Sequence, residues 1–311
     1  MAVSKTKKEK LVSVIVLNWN GKHFLKECLE TLLKQDYPNF EVIVSDNGSS
    51  DGSQEFVRKN FPSVKLIENK ENLGFSGGNN AGIRAAKGDY ILLLNNDMIF
   101  HRKDCLSELV KAAESDKRIG VVGGMFLWAK EPKRIQNVRG ASLPKVIPEV
   151  SLEKLRNVAF GTPDTPYEED TGQYDELIEI DAVNGLVKKE VFERIGLYDE
   201  KFFFTYDDAD FCYRAKQAGY RIVTNPKAKM WHVGAGTVSA VTSFYIYHSY
   251  RGKLRFGLKH FKGMKKVAFI IMSIIALPFL ILRFIINCRF DLVTALVSAY
   301  GWNLINFKDY L

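Results

Sequence analysis

The chain is poor in cysteine and has neither of two common phosphate-binding motifs. Its four cysteines stand far apart and form no CxxC pair: Cys28, Cys105, Cys212 and Cys288. This spacing argues against a disulfide framework and is typical of a reduced cytosolic compartment. There is no GxxxxGK[ST] loop and no GxGxxG turn. A P-loop ATPase and a dinucleotide-dependent enzyme are therefore disfavoured.

The N-terminus lacks a signal-peptide cleavage site. Lysines precede the apolar run LVSVIVL, but the run is short and leads into NWNG without small residues. We expect a buried first strand here. The formal net charge is +8 and the pI about 9.1, which suits nucleic acid, anionic lipid or a phosphorylated substrate as partner.

Strand-like and helical patterns alternate in the first half of the chain. VSVIVLNWN, FEVIVSDN, VKLIEN, DYILLLNND and IGVVGGMF are strand-like, and helical segments such as SGGNNAGIRAAKG, with Ser76 as candidate N-cap, separate them. This alternation predicts a mostly parallel, doubly wound α/β sheet. Ligands of such sheets bind beyond the carboxyl ends of the strands, where NWN, SDNGSSDGS and NNDM lie. Asp97 in NNDM is a hard oxygen ligand suited to Mg²⁺ or Mn²⁺.

Five segments in a fixed order resemble glycosyltransferase family 2, which has the GT-A (nucleotide-diphospho-sugar transferase) fold. They are VSVIVLNWNG, SDNGSSDGS, ENLGFSGGNNAGI, LLLNND and GLYDEKFFFTYDDADFCYRAKQAGY, within residues 12–232. They are most similar to rhamnosyltransferase-like and galactofuranosyltransferase-like members. The resemblance implies an inverting hexosyl or rhamnosyl transferase with a divalent metal, a dTDP- or UDP-sugar donor and no nucleic acid partner.

The resemblance also implies residues for donor and metal. The nucleobase contact maps to Asp46. The full donor set is Asn18, Asn20, Asp46, Asn47, Asp51, Asn72, Gly74, Phe75, Asn79 and Asn96. The family's DxD motif falls on Asn95-Asn96-Asp97, a departure that leaves Asp97 as the direct acidic metal ligand. His232 matches a position where some relatives supply a histidine to the metal, although a lone histidine is more often structural.

The segment TYDDADF holds three aspartates in four positions. The resemblance aligns Asp208 with the general base that takes the proton of the acceptor hydroxyl, with Asp207 beside it as the second catalytic candidate. Like-charge repulsion from the neighbouring acids is expected to raise the pKa of Asp208. Asp210 precedes Arg214 by four residues, which is helical spacing for an ion pair. The alternative is that Asp207 or Asp208 caps the following helix. The acceptor side is assigned to Asn184, Gly185 and Tyr206.

The periodicity loosens between about residues 128 and 180, which we interpret as an insertion within a catalytic domain of residues 1–238. Residues 239–311 begin with a basic, aromatic segment and continue into VAFIIMSIIALPFLILRFII. About 20 apolar residues are enough to span a bilayer. We expect attachment to the cytoplasmic face of the cell membrane, with spanning, re-entrant and in-plane arrangements open. A buried helix pair is the alternative.

The function predicted from these features is metal-assisted sugar transfer to a lipid-linked saccharide or a surface polysaccharide. One alternative is a sugar-phosphate nucleotidyltransferase, which would need a Gly-rich phosphate loop with Arg and Lys near the N-terminus. Another is a catalytically degenerate membrane scaffold, which Asn95 favours because it replaces an acid of the metal motif.

Overall fold

The computed structural model describes residues 9–129, 131–137, 177–179, 185–233 and 242–310. The strands are β1 (Val12–Asn18), β2 (Phe40–Asp46), β3 (Lys65–Glu68), β4 (Tyr90–Asn95), β5 (Met98–Phe100), β6 (Ile119–Trp128), β7 (Glu131–Asn137), β8 (Ile178–Glu179), β9 (Leu186–Lys188) and β10 (Arg221–His232). The helices are α1 (Lys22–Leu32), α2 (Ser53–Asn60), α3 (Gly74–Ala85), α4 (Cys105–Ser115), α5 (Lys189–Ile195), α6 (Asp207–Gln217), α7 (Ser243–His260), α8 (Gly263–Ile286) and α9 (Phe290–Ile305), followed by a 3₁₀ turn, Phe307–Tyr310. Strand β8 lies near the end of the predicted insertion. Most of the predicted insertion lies outside the described residues.

The first half of the sheet is parallel, as predicted. Strand β1 pairs in parallel with β2 and β4, and β2 pairs in parallel with β3. Alternate side chains of β1 enter different cores: Val14 and Val16 pack on the side of α1, α2 and α4, and Ile15 packs on the side of α3, α5 and α6. Burial on both faces explains why this strand is a nearly continuous apolar run.

The second half of the sheet is mixed. The order is β3-β2-β1-β4-β9-β6-β10-β5, with β7 beside β6 and β8 beside β10. Strand β9 is antiparallel to both β4 and β6, whereas β10 is parallel to β6. The short β5, directly after the NND turn, pairs antiparallel with the end of β10 so that Met98 faces His232. This pairing brings Asp97 beside His232.

Helix α3 begins at Gly74, two residues before the expected N-cap Ser76. The side-chain oxygen of Asn72 accepts a hydrogen bond from the Gly74 N–H (2.9 Å), which satisfies a free donor of the first turn. The Ser76 hydroxyl instead donates to the Phe202 carbonyl (2.7 Å). Gly74 has a φ of 72°, and a Cβ there would lie 2.4 Å from the Phe203 carbonyl oxygen. The start of α3 is therefore packed against the segment that leads into TYDDADF.

The C-terminal helices pack on one another and on the sheet domain. Phe256 of α7 belongs to the core formed by α5 and α6. A further apolar cluster joins α7, α8 and α9 through Ile246, Leu280 and Leu296. Among the described residues, α8 is the helix whose length and apolar composition would allow it to cross a membrane.

Candidate active site

Three predicted donor residues meet at the carboxyl edge of the parallel strands. Asn18 is fully buried and donates from Nδ2 to Asp46 Oδ2 (2.7 Å). Its Oδ1 accepts from Asn96 Nδ2 (2.7 Å). The second oxygen of Asp46 accepts from Gln54 Nε2 (2.7 Å) and from the Ser49 N–H (2.9 Å). Adjacent parallel strands end at the same edge, so residues far apart in the sequence form one network.

The loop after β2 is organised by side chains of the first turn. The Asn20 side-chain oxygen accepts from the Ser50 N–H (2.8 Å), and Asn20 itself has a φ of 50°. Asp51 accepts from the Lys22 N–H (2.9 Å) and from the Ser53 hydroxyl. Partial burial acts to raise the pKa of Asp51, but these hydrogen bonds together hold the pKa below its usual value. The loop is thus held in shape from both sides.

The predicted residues of α3 also lie in this region. Asn47 donates to the Gly74 carbonyl (2.8 Å) and to the side chain of Asn72 (3.3 Å). Asn79 is buried and donates to the Phe75 carbonyl (3.0 Å). The Oδ1 of Asn79 is buried without a hydrogen-bond partner in the described part of the chain. A buried acceptor without a partner is uncommon and suits contact with a ligand.

The two predicted metal ligands are adjacent. His232 Nε2 lies 3.0 Å from Asp97 Oδ2, with both side chains mostly buried. Trp128 stacks on the His232 ring at a centroid distance of 6.0 Å. Within the described ranges, no group of three or more His, Cys, Asp or Glu side chains is arranged to hold a metal. A carboxylate and an imidazole fit Mg²⁺ or Mn²⁺ when substrate phosphate oxygens and water complete the coordination.

The acid triplet lies at the start of α6. The helix follows Thr205 and Tyr206, whose φ angles of 65° and 63° are both left-handed, a conformation that side-chain-bearing residues rarely adopt. Tyr206 occupies the N-cap position without a side-chain cap, so neither Asp207 nor Asp208 is the N-cap. The carboxylate of Asp208 accepts from the Ala209 N–H (2.8 Å).

Burial changes the acidity of the first two aspartates. It raises the pKa of Asp207 well above its usual value, and the negative charge of Asp208 raises that pKa further. Burial also raises the pKa of Asp208, against the effect of the Ala209 N–H. The predicted direction for Asp208 is therefore confirmed, but its first cause is removal from water rather than charge repulsion.

The third aspartate, Asp210, is fully buried among three cationic or potentially cationic groups. Its Oδ2 accepts from Arg214 Nε (2.8 Å), which is the predicted ion pair. Its Oδ1 lies 2.7 Å from Lys259 Nζ and 2.7 Å from His260 Nε2. Burial acts to raise the pKa of Asp210, but the His260 contact and the two positive charges hold the pKa well below its usual value.

The acceptor-side predictions have different environments. Gly185 lies between β4 and β6, where a Cβ would come 2.2 Å from the Val122 carbonyl oxygen, so only glycine fits the backbone. Tyr206 packs against Phe256 (6.1 Å between centroids), and burial raises its pKa to about 12. Asn184 lies outside the described residues. These assignments stay predictions.

Two residues that shape the site were not singled out from the sequence. Gln54 donates to Asp46 (2.7 Å), and Asn80 donates to the Tyr198 carbonyl (2.9 Å). Each binds a group that is not its neighbour in the sequence, so no local sequence pattern predicts the contact. The repeated polar residues within the small-residue helix are the one available signal.

Comparison with known proteins identifies the family. The model for glycosyl transferase family 2 matches residues 13–196, and the chain belongs to that family. Relatives include YfnE, an uncharacterized glycosyltransferase of Bacillus subtilis (30% identity; 67% of this chain, 60% of YfnE), and Agl10, a low-salt glycan biosynthesis hexosyltransferase of Haloferax volcanii (23% identity; 91% of this chain, 87% of Agl10). The chain spans 60% of the length of YfnE and 24% of the length of y4gI, a Sinorhizobium fredii relative.

Solved structures show the same fold. The mannosyltransferase PcManGT of Pyrobaculum calidifontis, in complex with GDP-Man and Mn²⁺, has a TM-score of 0.53 at 18% identity over 94% of this chain and 75% of PcManGT. TarS of S. aureus has a TM-score of 0.54 at 19% identity over 82% of this chain and 41% of TarS. The fold is GT-A, as predicted.

Opposite pKa shifts predict opposite effects of Asp207→Asn and Asp210→Asn on stability. A carboxyl with a raised folded-state pKa disfavours folding once the pH exceeds its unfolded pKa, so Asp207→Asn should stabilise the protein at pH 7 and lose this advantage near pH 4. A carboxyl with a lowered pKa stabilises the fold above its unfolded pKa. Asp210→Asn should therefore cost about 3 to 5 kcal/mol at pH 7 and less as the pH falls.

Urea unfolding of both variants and the unaltered protein from pH 4 to pH 8 measures these effects. Asp89→Asn is the control, because Asp89 is exposed at the opposite end of β4. Equal pH dependence of Asp207→Asn and Asp210→Asn would contradict the assignment.

Proposed function

We propose that this protein is an inverting glycosyltransferase that moves a sugar from a nucleotide-diphosphate donor to a lipid-linked saccharide or a surface polysaccharide. The observation that carries the proposal is the hydrogen-bonded network of Asn18, Asp46 and Asn96 at one edge of the sheet. The Asp97–His232 pair lies at the same edge. The hexosyltransferase name of Agl10 and the GDP-Man complex of PcManGT support it.

The donor is held by acceptors and adaptable backbone. Asp46 and Asn47 are buried at the end of β2, and their polar side chains are assigned to hydrogen bonds with the nucleobase. Asn79 Oδ1 is a buried acceptor without a hydrogen-bond partner among the described residues, and we assign it to a hydroxyl of the donor sugar. Asp97 and His232 would hold the divalent metal, which when bound offsets negative charge on the departing diphosphate. The preference for a dTDP- or UDP-linked donor, and for a rhamnosyl or furanosyl sugar, rests on the motif resemblance.

The transfer step is a single displacement at the anomeric carbon. The acceptor hydroxyl oxygen forms the new bond to this carbon while the bond from carbon to the diphosphate oxygen breaks, and the electron pair of that bond leaves with the nucleoside diphosphate. The hydroxyl proton passes to the carboxylate of Asp208. Asp208 is more exposed than the buried Asp207, so we assign the base to Asp208 and an electrostatic role to Asp207.

The raised pKa values of Asp207 and Asp208 suit this role. A carboxyl whose pKa is raised towards the working pH binds a proton more readily than an ordinary aspartate does. Because Asp208 lies directly beside the buried Asp207 and its negative charge raises the pKa of Asp207, the two carboxyls titrate as a pair rather than separately. Transfer should therefore be lost on acidification at a higher pH than an isolated aspartate would give.

Membrane attachment is proposed for the outer face of α8 and α9. Large apolar side chains of α8 are exposed on the side away from α7 and α9: Met264, Val267, Ile271, Ile274, Ile275, Phe279, Leu282, Ile285 and Ile286. A continuous exposed apolar surface of this kind marks an interaction site. The opposite side of α8 packs on protein through Leu280 and Phe284. One-sided exposure favours a helix pair lying in the plane of the bilayer surface, with the catalytic domain on the cytoplasmic side.

The first expected outcome concerns the base. Asp208→Asn should lower the rate of transfer at least about 100-fold, since general base catalysis contributes on the order of 10² to 10⁴. Donor binding should stay within about twofold, because the base acts on the acceptor. Asp89→Asn is the matched control. Transfer at the unaltered rate in Asp208→Asn would move the base to Asp207, and absence of transfer from every donor in the unaltered protein would favour the scaffold.

The second concerns the metal. Calorimetry of UDP, dTDP and GDP binding with and without Mn²⁺ should show a metal-dependent gain in affinity for the unaltered protein. Asp97→Ala should lose that gain and leave metal-free binding unchanged, because the diphosphate then lacks its bridging cation. His232→Ala tests the second ligand. Equal affinities with and without Mn²⁺ in all three proteins would remove the metal from the proposal.

The third concerns the membrane. Salt at 1 M shortens the Debye length to about 3 Å, so protein held only by lysines should leave anionic vesicles, whereas protein held by the apolar face should remain. Ile271→Asp combined with Phe279→Asp should release the protein, since both side chains are about half exposed (50% and 54%). Leu33→Asp, an exposed apolar residue at the end of α1 (39%), is the control. Vesicle flotation measures the outcome, and complete release of the unaltered protein in salt would contradict it.

A further inference from the structure

Helix α7 and the acid triplet both lie beyond residues 13–196, which the family model covers, and charged side chains of α7 reach the triplet at Asp210. We infer that α7 is part of the active site, and that Arg255, Lys259 and His260 are positioning residues for Asp207 and Asp208. The inference rests on the proposed transferase activity for its catalytic consequence, while the contacts themselves do not depend on that activity.

Helix α7 holds two carboxylates, the buried Asp210 and the partly buried Asp199. Lys259 Nζ donates to Asp210 Oδ1 (2.7 Å) and to Asp199 Oδ2 (2.8 Å). Arg255 donates from a terminal nitrogen to the same Asp199 oxygen (2.8 Å). Lys259 therefore joins the loop before the acid segment to the first turn of α6. His260 adds a second contact to Asp210 at 2.7 Å.

The segment between these two aspartates contains the strained residues. Thr205 and Tyr206 both have a positive φ (65° and 63°), a conformation that strains the backbone of residues with side chains. Such a conformation persists only when surrounding contacts outweigh the strain. Gly252 supplies close contact from α7: a Cβ there would lie 3.1 Å from the Thr205 carbonyl oxygen and 3.3 Å from Tyr206. Contacts from α7 on both sides of Asp207 and Asp208 therefore fix the orientation of these two side chains.

The same segment reaches the donor side. The Lys259 ammonium and the Arg255 guanidinium both lie over the Phe202 ring (5.5 Å and 5.3 Å to its centroid). The Phe202 carbonyl accepts from Ser76, and the Phe203 carbonyl accepts from the Phe75 N–H (2.7 Å). Displacement of α7 would therefore alter the distance between the base and the donor-binding helix α3.

This arrangement gives α7 a role in addition to stabilising the fold. A misplacement of reacting groups by about 1 Å is enough to lower a rate about 100-fold. Asp210 sits two positions after Asp208 in the same helical turn. A cation that holds Asp210 therefore sets the position of the proposed base without touching substrate.

The experiment uses the full-length protein. Lys259→Met and His260→Leu should each lower kcat for transfer about 10- to 100-fold, with the donor-nucleotide Kd within twofold. Lys259→Arg and His260→Gln keep a donor for Asp210 and should recover most of the rate. Lys262→Met, an exposed lysine three residues further on, is the charge control. A role in stability alone would lower the melting temperature and leave kcat per folded protein unchanged, which would overturn the inference.

Two glycine variants test the inference even if the Lys259 and His260 variants fail to fold. Gly252→Ala and Gly301→Ala each raise helix propensity. The Cβ at position 252 would meet Thr205 and Tyr206, whereas nothing lies within 4 Å of a Cβ at position 301 in the described part of the chain. Gly252→Ala should lower kcat and speed amide exchange in residues 199–210, and Gly301→Ala should do neither. Equal behaviour of the pair would overturn the inference. Amide exchange is measurable without turnover. Faster exchange in Gly252→Ala, together with no transfer from any donor by the unaltered protein, would refute the proposed function but support the positioning contacts.

Discussion

The buried carboxylate of Asp210 is the contact on which the geometry of the acid-bearing helix depends. A fully buried charge is tolerated only when hydrogen bonds and opposite charges replace its hydration. Arg214 supplies one partner from the same helix, and Lys259 and His260 supply two more from α7, 49 and 50 residues along the chain. Because all three contacts converge on one carboxylate, the orientation of α6 and the packing of α7 are coupled. Removing any one leaves an imperfectly compensated charge in the core.

A second constraint comes from the parallel strands. β1, β2 and β4 are neighbours in the same direction, so the polar residues that follow them must lie close together. This proximity allows the Asn18 side-chain amide to donate to Asp46 and to accept from Asn96. The antiparallel β5–β10 pair extends the same edge to Asp97 and His232. The site is thus a product of strand order, with α3 linking this edge to the segment before the acids.

Sequence patterns anticipated these features to different degrees. Apolar periodicity correctly predicted the strands of the first half, because the residues facing each core repeat at short intervals. The i,i+4 spacing correctly predicted the Asp210–Arg214 ion pair. The expected N-cap at Ser76 was wrong, because its hydroxyl is used by the Phe202 carbonyl, a tertiary contact that outweighs local capping preference. The division of the chain at residue 238 stays a prediction, and the contacts of α7 with α6 cross it.

The sequence by itself determined the alternating elements, the polar turns at the strand ends, the apolar C-terminal run and membership of the family, because each depends on residues close together in the chain. Tertiary structure alone decided that Lys259 and His260 join Arg214 at Asp210, and that burial raises the pKa of Asp207 and of Asp208. The pKa values of Asp207, Asp208 and Asp210 diverge although the residues share one helical turn. Two of the three partners of Asp210 come from α7. The free energy of a charge depends on the groups within a few ångströms, wherever those groups lie in the sequence.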